Sequence, residues 1–323
     1  MPTHTPHYPD LLFAPAARLR RWEGRLMDLL QRHGYVELRP SLVMREAEGE
    51  DRVRFFDGDH LVALRWDFTE ALARMLVRRF PEPPPRVSYA GAIFRRPASP
   101  WEPVERFEVG CERLSVDPGE RSEADLELAQ LLMAVPEVLG LQGGFLHVGS
   151  AALLAKPISA EGLPEPLARR VATCLSRRAP HRAFELLEGH PAARRLTEHL
   201  ERLSQPPDGP ELLETLSEGP YAELLAEECA HLARALDRLM PLLPKGLVLQ
   251  VDPADVSGLG FYTGPTLRLW APGAQRELAA GGRYDGLFPQ LGRPWSAAGF
   301  CVRLSALLDL AEARPDLFEG VEP

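Results

Sequence analysis

The sequence of 323 residues contains few cysteines, and no two of them lie close together in the chain. They are Cys111, Cys174, Cys229 and Cys301. Structural zinc sites are built from pairs of ligands a few residues apart, and such pairs are missing here. We therefore expect no metal site, and we expect the cysteines to be reduced, buried thiols.

Long apolar runs are also missing. No apolar run approaches the length of about 18 residues that indicates a membrane-spanning helix. The N-terminus, MPTHTPHYPD, has no basic stretch followed by an apolar one, as a secretion signal would have. The sequence therefore predicts a cytoplasmic protein with no membrane partner.

Basic residues are fewer than acidic residues in this chain. The chain has 37 Lys and Arg residues against 46 Asp and Glu residues, and its formal net charge is −9. Proteins that bind nucleic acid usually attract the phosphate backbone with an excess of basic residues. The acidic balance therefore argues against a nucleic-acid partner. Apolar residues at 45% and charged residues at 26% are typical of a soluble globular protein.

Local patterns predict strands before and after a long helical region. Apolar residues recur at helical spacing from Pro15 to His33, and the strand-like stretch YVELRPSLV follows at 35–43. Pro40 would exclude this strand from the centre of a sheet, so we expect an edge or an interface position. Further strands are predicted at 61–65, 87–95, 107–112, 144–149 and 246–251. A helix over 124–139 is expected to be interrupted near Pro136, and 151–241 is expected to be helical.

The most informative stretch runs from Gly258 to Leu307. It contains three motifs in order: GLGFYTG, ELAAGGRYDGL and SAAGFCVRLSALLDL. Gly281 and Gly282 allow a backbone to pass close to a bulky neighbour, because glycine has no Cβ and tolerates positive φ. The RYD triplet that follows supplies a forked donor, a ring hydroxyl and a carboxylate. Each motif alone fits an ordinary hairpin and helix, but the three in this order are much more specific.

This stretch resembles the last third of the catalytic domain of histidyl-tRNA synthetases, a class II family. Their motifs have the forms R-G-L-D-Y-Y-T-G, A-G-G-R-Y-D-G and G-F-x-x-G-L-E-R-L, and the middle one is intact here. The resemblance implies an α+β fold with a class II synthetase-like core, in which helices flank an antiparallel sheet. It implies that residues 1–150 and 241–323 form this core and that 151–240 form a helical insertion. Too few residues follow Leu307 for an anticodon-binding domain, so none is expected.

The resemblance also implies a homodimer and contacts to a bound amino acid. Residues 15–43 match class II motif 1, which forms the homodimer interface in that family. In the family motif L-R-P-[ED]-x-T, the acid and the threonine hold the α-amino group, and here they fall on Asp67 and Thr69, while Trp66 replaces the proline. The motif 2 arginine, which contacts the α-phosphate and the carboxylate, falls on Arg95. From the residues alone, Asp67 or Thr69 is equally suited to cap a helix.

Two acids in the stretch FEVGCE are further candidates for contact with the bound amino acid. Strand alternation places Glu108 and Glu112 on the same face. In the family motif H-Q-x-G-x-E, the glutamine falls on Glu108, and the glutamate that accepts the imidazole N–H of histidine falls on Glu112. Glu108 therefore adds a charge to the pocket, which Tyr262, Thr263 and Tyr284 are also expected to line. A pair of solvated strand acids remains the alternative interpretation.

The motifs depart from the family where synthetases bind ATP. The leading arginine of the first motif falls on Ser257, and the motif 3 arginine that grips the ATP phosphates falls on Ala306. A methyl group cannot replace a charge-assisted contact to phosphate. Losing one such contact costs on the order of a hundred- to a thousand-fold in rate. Arg303 lies three residues earlier and is expected to be a surface or interface residue. The loop RPASPWEPVE also lacks the basic run of motif 2, so adenylation is not expected.

Within this family, damaged motifs and the lack of an anticodon-binding domain are typical of HisZ-type regulatory subunits of ATP phosphoribosyltransferase, the enzyme of the first step of histidine biosynthesis. The resemblance implies a non-catalytic chain without a cofactor. Its partner would be the short-form catalytic subunit, which it would activate and help free histidine to inhibit. The alternatives are a truncated class II synthetase-like enzyme that adenylates an amino acid and a synthetase paralogue that binds nucleic acid.

Overall fold

A large and a small β-sheet provide the framework of the chain. The computed structural model describes residues 10–45, 51–96, 103–177, 179–204, 211–252 and 261–319. The strands are β1 (Val36–Glu37), β2 (Val43–Met44), β3 (Arg54–Asp57), β4 (His60–Leu64), β5 (Arg86–Phe94), β6 (Glu105–Ser115), β7 (Gly144–Ser150), β8 (Leu247–Val251), β9 (Pro265–Trp270), β10 (Ala279–Arg283) and β11 (Ser296–Arg303). Eight of them form one sheet in the order β1-β5-β6-β11-β10-β9-β7-β8, and the small sheet has the order β2-β4-β3.

The large sheet is antiparallel throughout its centre. Its two outermost pairs, β1 with β5 and β7 with β8, are parallel. The predicted α+β class with an antiparallel sheet is confirmed, with the addition of these two parallel edges. The strand β11 pairs with β6 over the whole length of β11, from Ser296 opposite Ser115 to Arg303 opposite Glu108. This register determines which side chains share a face.

Helices flank the sheet and fill the long connection between β7 and β8. They are α1 (Phe13–Arg32), α2 (Phe68–Arg79), α3 (Arg121–Leu139), α4 (Ala152–Ala160), α5 (Glu165–Ser176), α6 (Pro180–Leu187), α7 (Ala193–Leu203), α8 (Glu211–Ser217), α9 (Ala222–Leu239), α10 (Leu287–Gln290) and α11 (Leu304–Ala313). Helices α4 to α9 occupy the region predicted to be helical. Whether 151–240 is a separate insertion remains a prediction.

Alternation along the central strands separates an apolar face from a polar one. On β6 and β11, Val109, Cys111, Phe300 and Val302 belong to the main hydrophobic core. That core also contains the inward sides of α1, α3 and α11. Residues one position away along the same strands point to the opposite face, because side chains of a strand alternate. The polar residues of β6 and β11 therefore meet on that face.

Two predicted elements differ from the structure. The strand expected at 35–43 is divided into β1 and β2, which belong to different sheets. Pro40 lies between them, and its carbonyl accepts a hydrogen bond of 2.8 Å from the buried Arg65 guanidinium. The expected edge position is correct for β1. The interruption predicted near Pro136 is wrong, since α3 continues to Leu139. Burial of α3 on several sides offsets the hydrogen bond that a proline inside a helix removes.

The cysteines are free thiols, but only two of the four are buried, Cys111 and Cys229. Among the described residues, no group of three or more His, Cys, Asp or Glu side chains could hold a metal ion. In the same ranges, no helix combines the length and apolar character that a membrane crossing requires.

Candidate functional site

A cavity of about 530 Å³ lies on the polar face of the large sheet. A volume of this order is typical of small-molecule sites. The seven residues predicted to bind a ligand all line it: Asp67, Thr69, Arg95, Glu108, Glu112, Tyr262 and Tyr284. The strand β6, the start of α2 and the region around β10 and β11 thus converge on one site.

Glu112 is a deeply buried polar group in the wall of the cavity. It is 2% exposed, and three hydroxyl groups donate to its carboxyl. The Tyr284 hydroxyl lies 2.5 Å from Oε2, and the Thr69 hydroxyl lies 2.8 Å from Oε1. The Tyr89 hydroxyl lies 3.4 Å from the same Oε1. Side chains from α2, β5 and the segment after β10 therefore hold one carboxyl group in place.

Burial changes the protonation of this carboxyl group. Removal from water raises the pKa of Glu112 to about 8, although the hydroxyl donors act in the opposite direction. Glu112 is therefore largely protonated at neutral pH. Burial, and next the nearby Glu112, raise the pKa of the Tyr284 hydroxyl well above its usual value, so Tyr284 remains a donor. Glu112 and Tyr284 can therefore shift a proton within the hydrogen bonds that they form with a ligand. No unpaired charge is then left in the protein interior.

A glycine on the neighbouring strand makes room for Glu112. Gly299 of β11 lies opposite Glu112 in the sheet register. A Cβ at position 299 would lie 1.7 Å from Glu112 Oε2 and 2.4 Å from the Cys111 carbonyl oxygen. Gly281 and Gly282 confirm the predicted close approach, since a Cβ at either position would lie 2.4 Å from a backbone oxygen of an adjacent strand. Gly282 also has a positive φ of 152°.

Asp67 caps a helix and also lines the cavity. It is the N-cap of α2, and its Oδ1 accepts a hydrogen bond of 2.9 Å from the Glu70 amide. Its Oδ2 lies 3.5 Å from the Arg95 guanidinium at the edge of the cavity. Thr69 is not the cap, because its hydroxyl donates to Glu112 instead. Helix α2 therefore begins at the site and presents two polar side chains to it.

Trp66, which stands in place of the family's proline, also lines the cavity. Its indole N–H donates to Glu70 Oε2 over 3.0 Å, and the Arg52 guanidinium lies 3.4 Å above its ring. These contacts anchor the ring at the start of α2. The motif comparison identified Trp66 only as a residue that differs from the family. The structure shows that Trp66 also lines the cavity.

Glu108 is buried, with 8% of its surface exposed, and it lines the cavity. Burial raises the pKa of its carboxyl group, while Arg303 acts in the opposite direction. Because Glu108 and Glu112 are both buried, the interpretation of a solvated pair of strand acids is wrong. Strand alternation correctly placed the two on one face.

Four further charged residues line the cavity and were not predicted as contacts: Glu70, Arg268, Glu277 and Arg303. Arg303 and Glu277 form a salt bridge of 2.5 Å, and both line the cavity. Arg303 was expected at the surface or at an interface, and its side chain, which is 31% exposed, lies in the wall of the cavity. Arg268 is 6% exposed, donates to the carbonyls of Leu267 and Gly281, and lies over the Tyr262 ring. Its position between core leucines in the stretch LRLW could have indicated that it points to the polar face.

Ala306, which stands at the position of the motif 3 arginine, does not line the cavity. Ala306 is in the first turn of α11, is 4% exposed and packs in the main core rather than in the cavity. Ser257 lies outside the described residues. Thr263, which was expected to line the pocket, instead accepts a hydrogen bond from the Asp285 amide over 3.0 Å. A methyl group at position 306 thus faces other apolar groups.

Arg283 of the RYD triplet has a structural role. Its guanidinium contacts Asp125 of α3 at 2.8 and 3.2 Å and Asp285 at 3.0 Å. It also donates to the Arg121 carbonyl over 2.9 Å. This buried network joins the end of β10 to α3 and thereby positions Tyr284, the next residue, against Glu112.

The chain is similar in sequence to proteins of two related kinds. A family model described as histidyl-tRNA synthetase matches residues 7–307. An ATP phosphoribosyltransferase regulatory subunit from Thermus thermophilus is 32% identical over 308 residues, which are 92% of this chain and 81% of the relative.

Solved structures share the fold. A protein described as a histidine–tRNA ligase subunit, from Alicyclobacillus acidocaldarius, is 26% identical, with a TM-score of 0.78 over 98% of both chains. A chain of the ATP phosphoribosyl transferase (HisG:HisZ) complex from Thermotoga maritima has a TM-score of 0.68. That match covers 89% of this chain and 97% of the other, and at 17% identity it shows the fold alone.

Proposed function

This chain belongs to the histidyl-tRNA synthetase family and, within it, to the ATP phosphoribosyltransferase regulatory subunits, and we propose that it activates a short-form catalytic subunit and transmits inhibition by histidine. Its family places it with non-catalytic regulatory subunits and not with the synthetases. The observation that carries the proposal is a cavity lined by all seven predicted amino-acid contacts, in a chain whose motif 3 lacks its phosphate-binding arginine.

The site suits a ligand with both an imidazole and an amine. Glu112 and Tyr284 can exchange hydrogen bonds with the two ring nitrogens, since each nitrogen is either a donor or an acceptor. Asp67 and Glu108 can accept from an ammonium group, and Thr69 fixes the orientation of Glu112. Most of these groups are already held by the protein, so a ligand would lose little energy in ordering them.

The altered motifs make adenylation a poor alternative. The core position of Ala306 leaves no cation there for ATP phosphates. A pyrophosphate-exchange assay with ATP and each amino acid in turn would detect an active synthetase-like enzyme. We expect no exchange above background with any amino acid.

Activation is tested by mixing purified proteins. The ATP phosphoribosyltransferase activity of a short-form catalytic subunit is measured alone and with increasing amounts of this chain. We expect a stable complex and a rate that rises to a plateau at a fixed ratio of the two chains. If micromolar concentrations of both proteins gave no complex and no activation, that result would contradict the proposed function.

Replacing Glu112 with alanine is expected to weaken histidine binding by about 1–3 kcal/mol, because a buried donor on the ring is left without its acceptor. This corresponds to a loss of about 5- to 150-fold in affinity. Calorimetry with free histidine measures the effect, and circular dichroism checks that the variant is folded. An unchanged affinity for histidine in a folded variant would show that Glu112 does not contact the ligand.

We also propose that the chain forms a homodimer through residues 15–43. Several apolar side chains of this segment and the adjoining sheet are exposed, among them Val36 at 63% and Phe56 at 73%. Val36 lies on β1, the two-residue strand at one edge of the large sheet. A second copy would cover these side chains, and exposed apolar groups of this kind commonly mark protein interfaces.

Val36→Asp is expected to convert a dimer to a monomer, since a charge buried in an interface without a partner is strongly unfavourable. Val248→Asp is the matched control, because Val248 is 47% exposed on β8, the strand at the opposite edge of the same sheet. Sedimentation velocity reports the mass of each variant. Equal masses for Val36→Asp and Val248→Asp would argue against this interface.

A further inference from the structure

The helical region between β7 and β8 has an uneven distribution of charge. Residues 165–187, which include α5 and α6, contain five arginines and two glutamates. Residues 211–228, which include α8 and the start of α9, contain six glutamates and no basic residue. The formal net charge of the whole chain is −9, so the first segment is a basic exception in an acidic protein. Surfaces of opposite sign on one chain attract each other when two copies meet.

The basic segment forms a groove between two packed helices, α5 and α6. The groove has a volume of about 340 Å³ and is lined by Arg170, Thr173, Cys174, Arg182, Glu185 and Leu186. Within the described part of the chain, Arg170 and Arg182 form neither a hydrogen bond nor an ion pair. Glu185 offsets one of the two positive charges, and the half-buried Cys174 and Leu186 add apolar surface. We call this surface the basic groove.

An exposed leucine lies among the glutamates of the acidic segment. Leu224, in the first turn of α9, is 41% exposed, and the exposed Glu223 and Glu227 flank it on the same helix. Helix α8 packs against α9, and three more exposed glutamates lie on α8 or directly after it: Glu211, Glu214 and Glu218. None of these five carboxylates has an ion-pair partner among the residues that the structure describes. We call Leu224 and the five glutamates the acidic surface.

Each of the two surfaces has what the other lacks. The basic groove has unpaired guanidinium groups beside apolar surface, and the acidic surface has unpaired carboxylates around an apolar side chain. A groove of this volume has room for a leucine side chain. Insertion of Leu224 would remove apolar surface from water, and arginine–carboxylate pairs would form around it. The chain itself therefore carries the partner that each surface fits.

We propose that the basic groove of one copy receives the acidic surface of a second copy, so that two homodimers associate through their helical regions. A two-fold axis would form this contact twice, because each copy has both surfaces. Exposed ion pairs are individually weak and are screened by salt, so the association is weak and is lost at high ionic strength. Residues 15–43 take no part in it, and the homodimer therefore remains at high ionic strength.

Sedimentation velocity on the full-length protein tests the salt dependence. We expect a species of twice the homodimer mass at about 20 mM salt, and the homodimer alone at about 500 mM salt, where screening extends over only a few ångströms. A weak association requires protein concentrations on the order of 100 μM. If the wild-type protein showed no species larger than the homodimer under the low-salt condition, the inference would be overturned.

Reversing the charge of one surface at a time gives the decisive test. Arg182→Glu makes the basic groove net negative, and Glu223→Arg combined with Glu227→Arg makes the surroundings of Leu224 positive. Each variant alone is expected to weaken the association at least about tenfold, because like charges then face each other. An equimolar mixture of the two variants is expected to associate within about threefold of the wild type, since opposite charges again meet in both contacts. Mixing would not repair a folding defect in either variant.

Arg194→Glu is the matched control. Arg194 is an exposed arginine of α7 that does not line the basic groove and forms no ion pair in the described ranges. Its replacement changes the net charge as much as Arg182→Glu does, and we expect it to associate like the wild type. Loss of association in this control, or a mixture that stays at the homodimer mass, would overturn the inference.

The catalytic subunit is the other possible occupant of the basic groove. An Arg182→Glu protein that self-associates like the wild type but no longer binds the catalytic subunit would overturn the inference and assign the groove to that subunit. A failure of the contact between copies leaves the proposed activation and the histidine site intact, because other variants and other readouts test them.

Discussion

Arg283→Ala is expected to lower the free energy of unfolding by about 3–5 kcal/mol, the typical cost of breaking a buried ion pair from one side. The Arg283 side chain is 7% exposed and the Asp125 side chain is 10% exposed, so water cannot readily replace the lost guanidinium. The substitution leaves Asp125 and Asp285 without their shared cation and the Arg121 carbonyl without its donor. Asp285 would keep only the more exposed Arg121 at 3.1 Å, and Asp125 would keep only His231 at 3.4 Å.

Denaturant unfolding of the wild-type and variant proteins measures this loss. Arg314→Ala is the control, because Arg314 pairs with Asp316 at the surface, where the side chains are 41% and 61% exposed. We expect no measurable change for that variant, as is usual for exposed pairs. If Arg283→Ala were as stable as Arg314→Ala, the network between β10 and α3 would not hold the fold together.

Gly299→Ala is expected to abolish histidine binding and to destabilise the protein by on the order of 1–3 kcal/mol, the usual range for overpacking a close-packed interior. The new Cβ would lie 1.7 Å from Glu112 Oε2, so the carboxyl group must move away from its hydroxyl donors. The 2.4 Å approach to the Cys111 carbonyl cannot be relieved by a side chain, since that oxygen belongs to the adjacent strand. Both the pocket and the pairing of β6 with β11 would be strained.

Gly24→Ala provides the matched comparison. Gly24 lies on the exposed side of α1, and a Cβ there meets nothing within 4 Å. Alanine in a helix interior is favoured over glycine by about 0.5–1 kcal/mol, so this variant is expected to be more stable than the wild type. Thermal unfolding and calorimetry with histidine compare the two variants. A Gly299→Ala protein that binds histidine normally would contradict the packing described around Glu112.

Local patterns predicted much of the site, because the relevant side chains lie at defined points of regular elements. The alternation of FEVGCE placed Glu108 and Glu112 on one face, and the structure has both on the wall of one cavity. The cap position of Asp67 located the start of α2. The family motifs added Tyr284 and Tyr262, which no local pattern would have connected to β6.

The residues that were missed depend on contacts between distant parts of the chain. Arg303 faces Glu277 and Glu108 only because β11 lies between β6 and β10, an order that no local pattern contains. Arg283 and Asp125 are far apart in sequence and meet only in the folded protein. The continuation of α3 through Pro136 likewise depends on tertiary packing that overrides a local preference.

The measurement that most directly tests the central claim is histidine inhibition of the assembled enzyme with the wild-type chain and with Glu112→Ala. Both forms are first shown to bind and activate the catalytic subunit equally, and histidine is then titrated into each complex. Occupation of this cavity can inhibit only if histidine favours one state of the assembly over the other. We predict that histidine reverses activation by the wild-type chain and that the Glu112→Ala complex needs about 5- to 150-fold more histidine. Inhibition of both complexes at the same histidine concentration would contradict the account, because the signal would then not pass through this site.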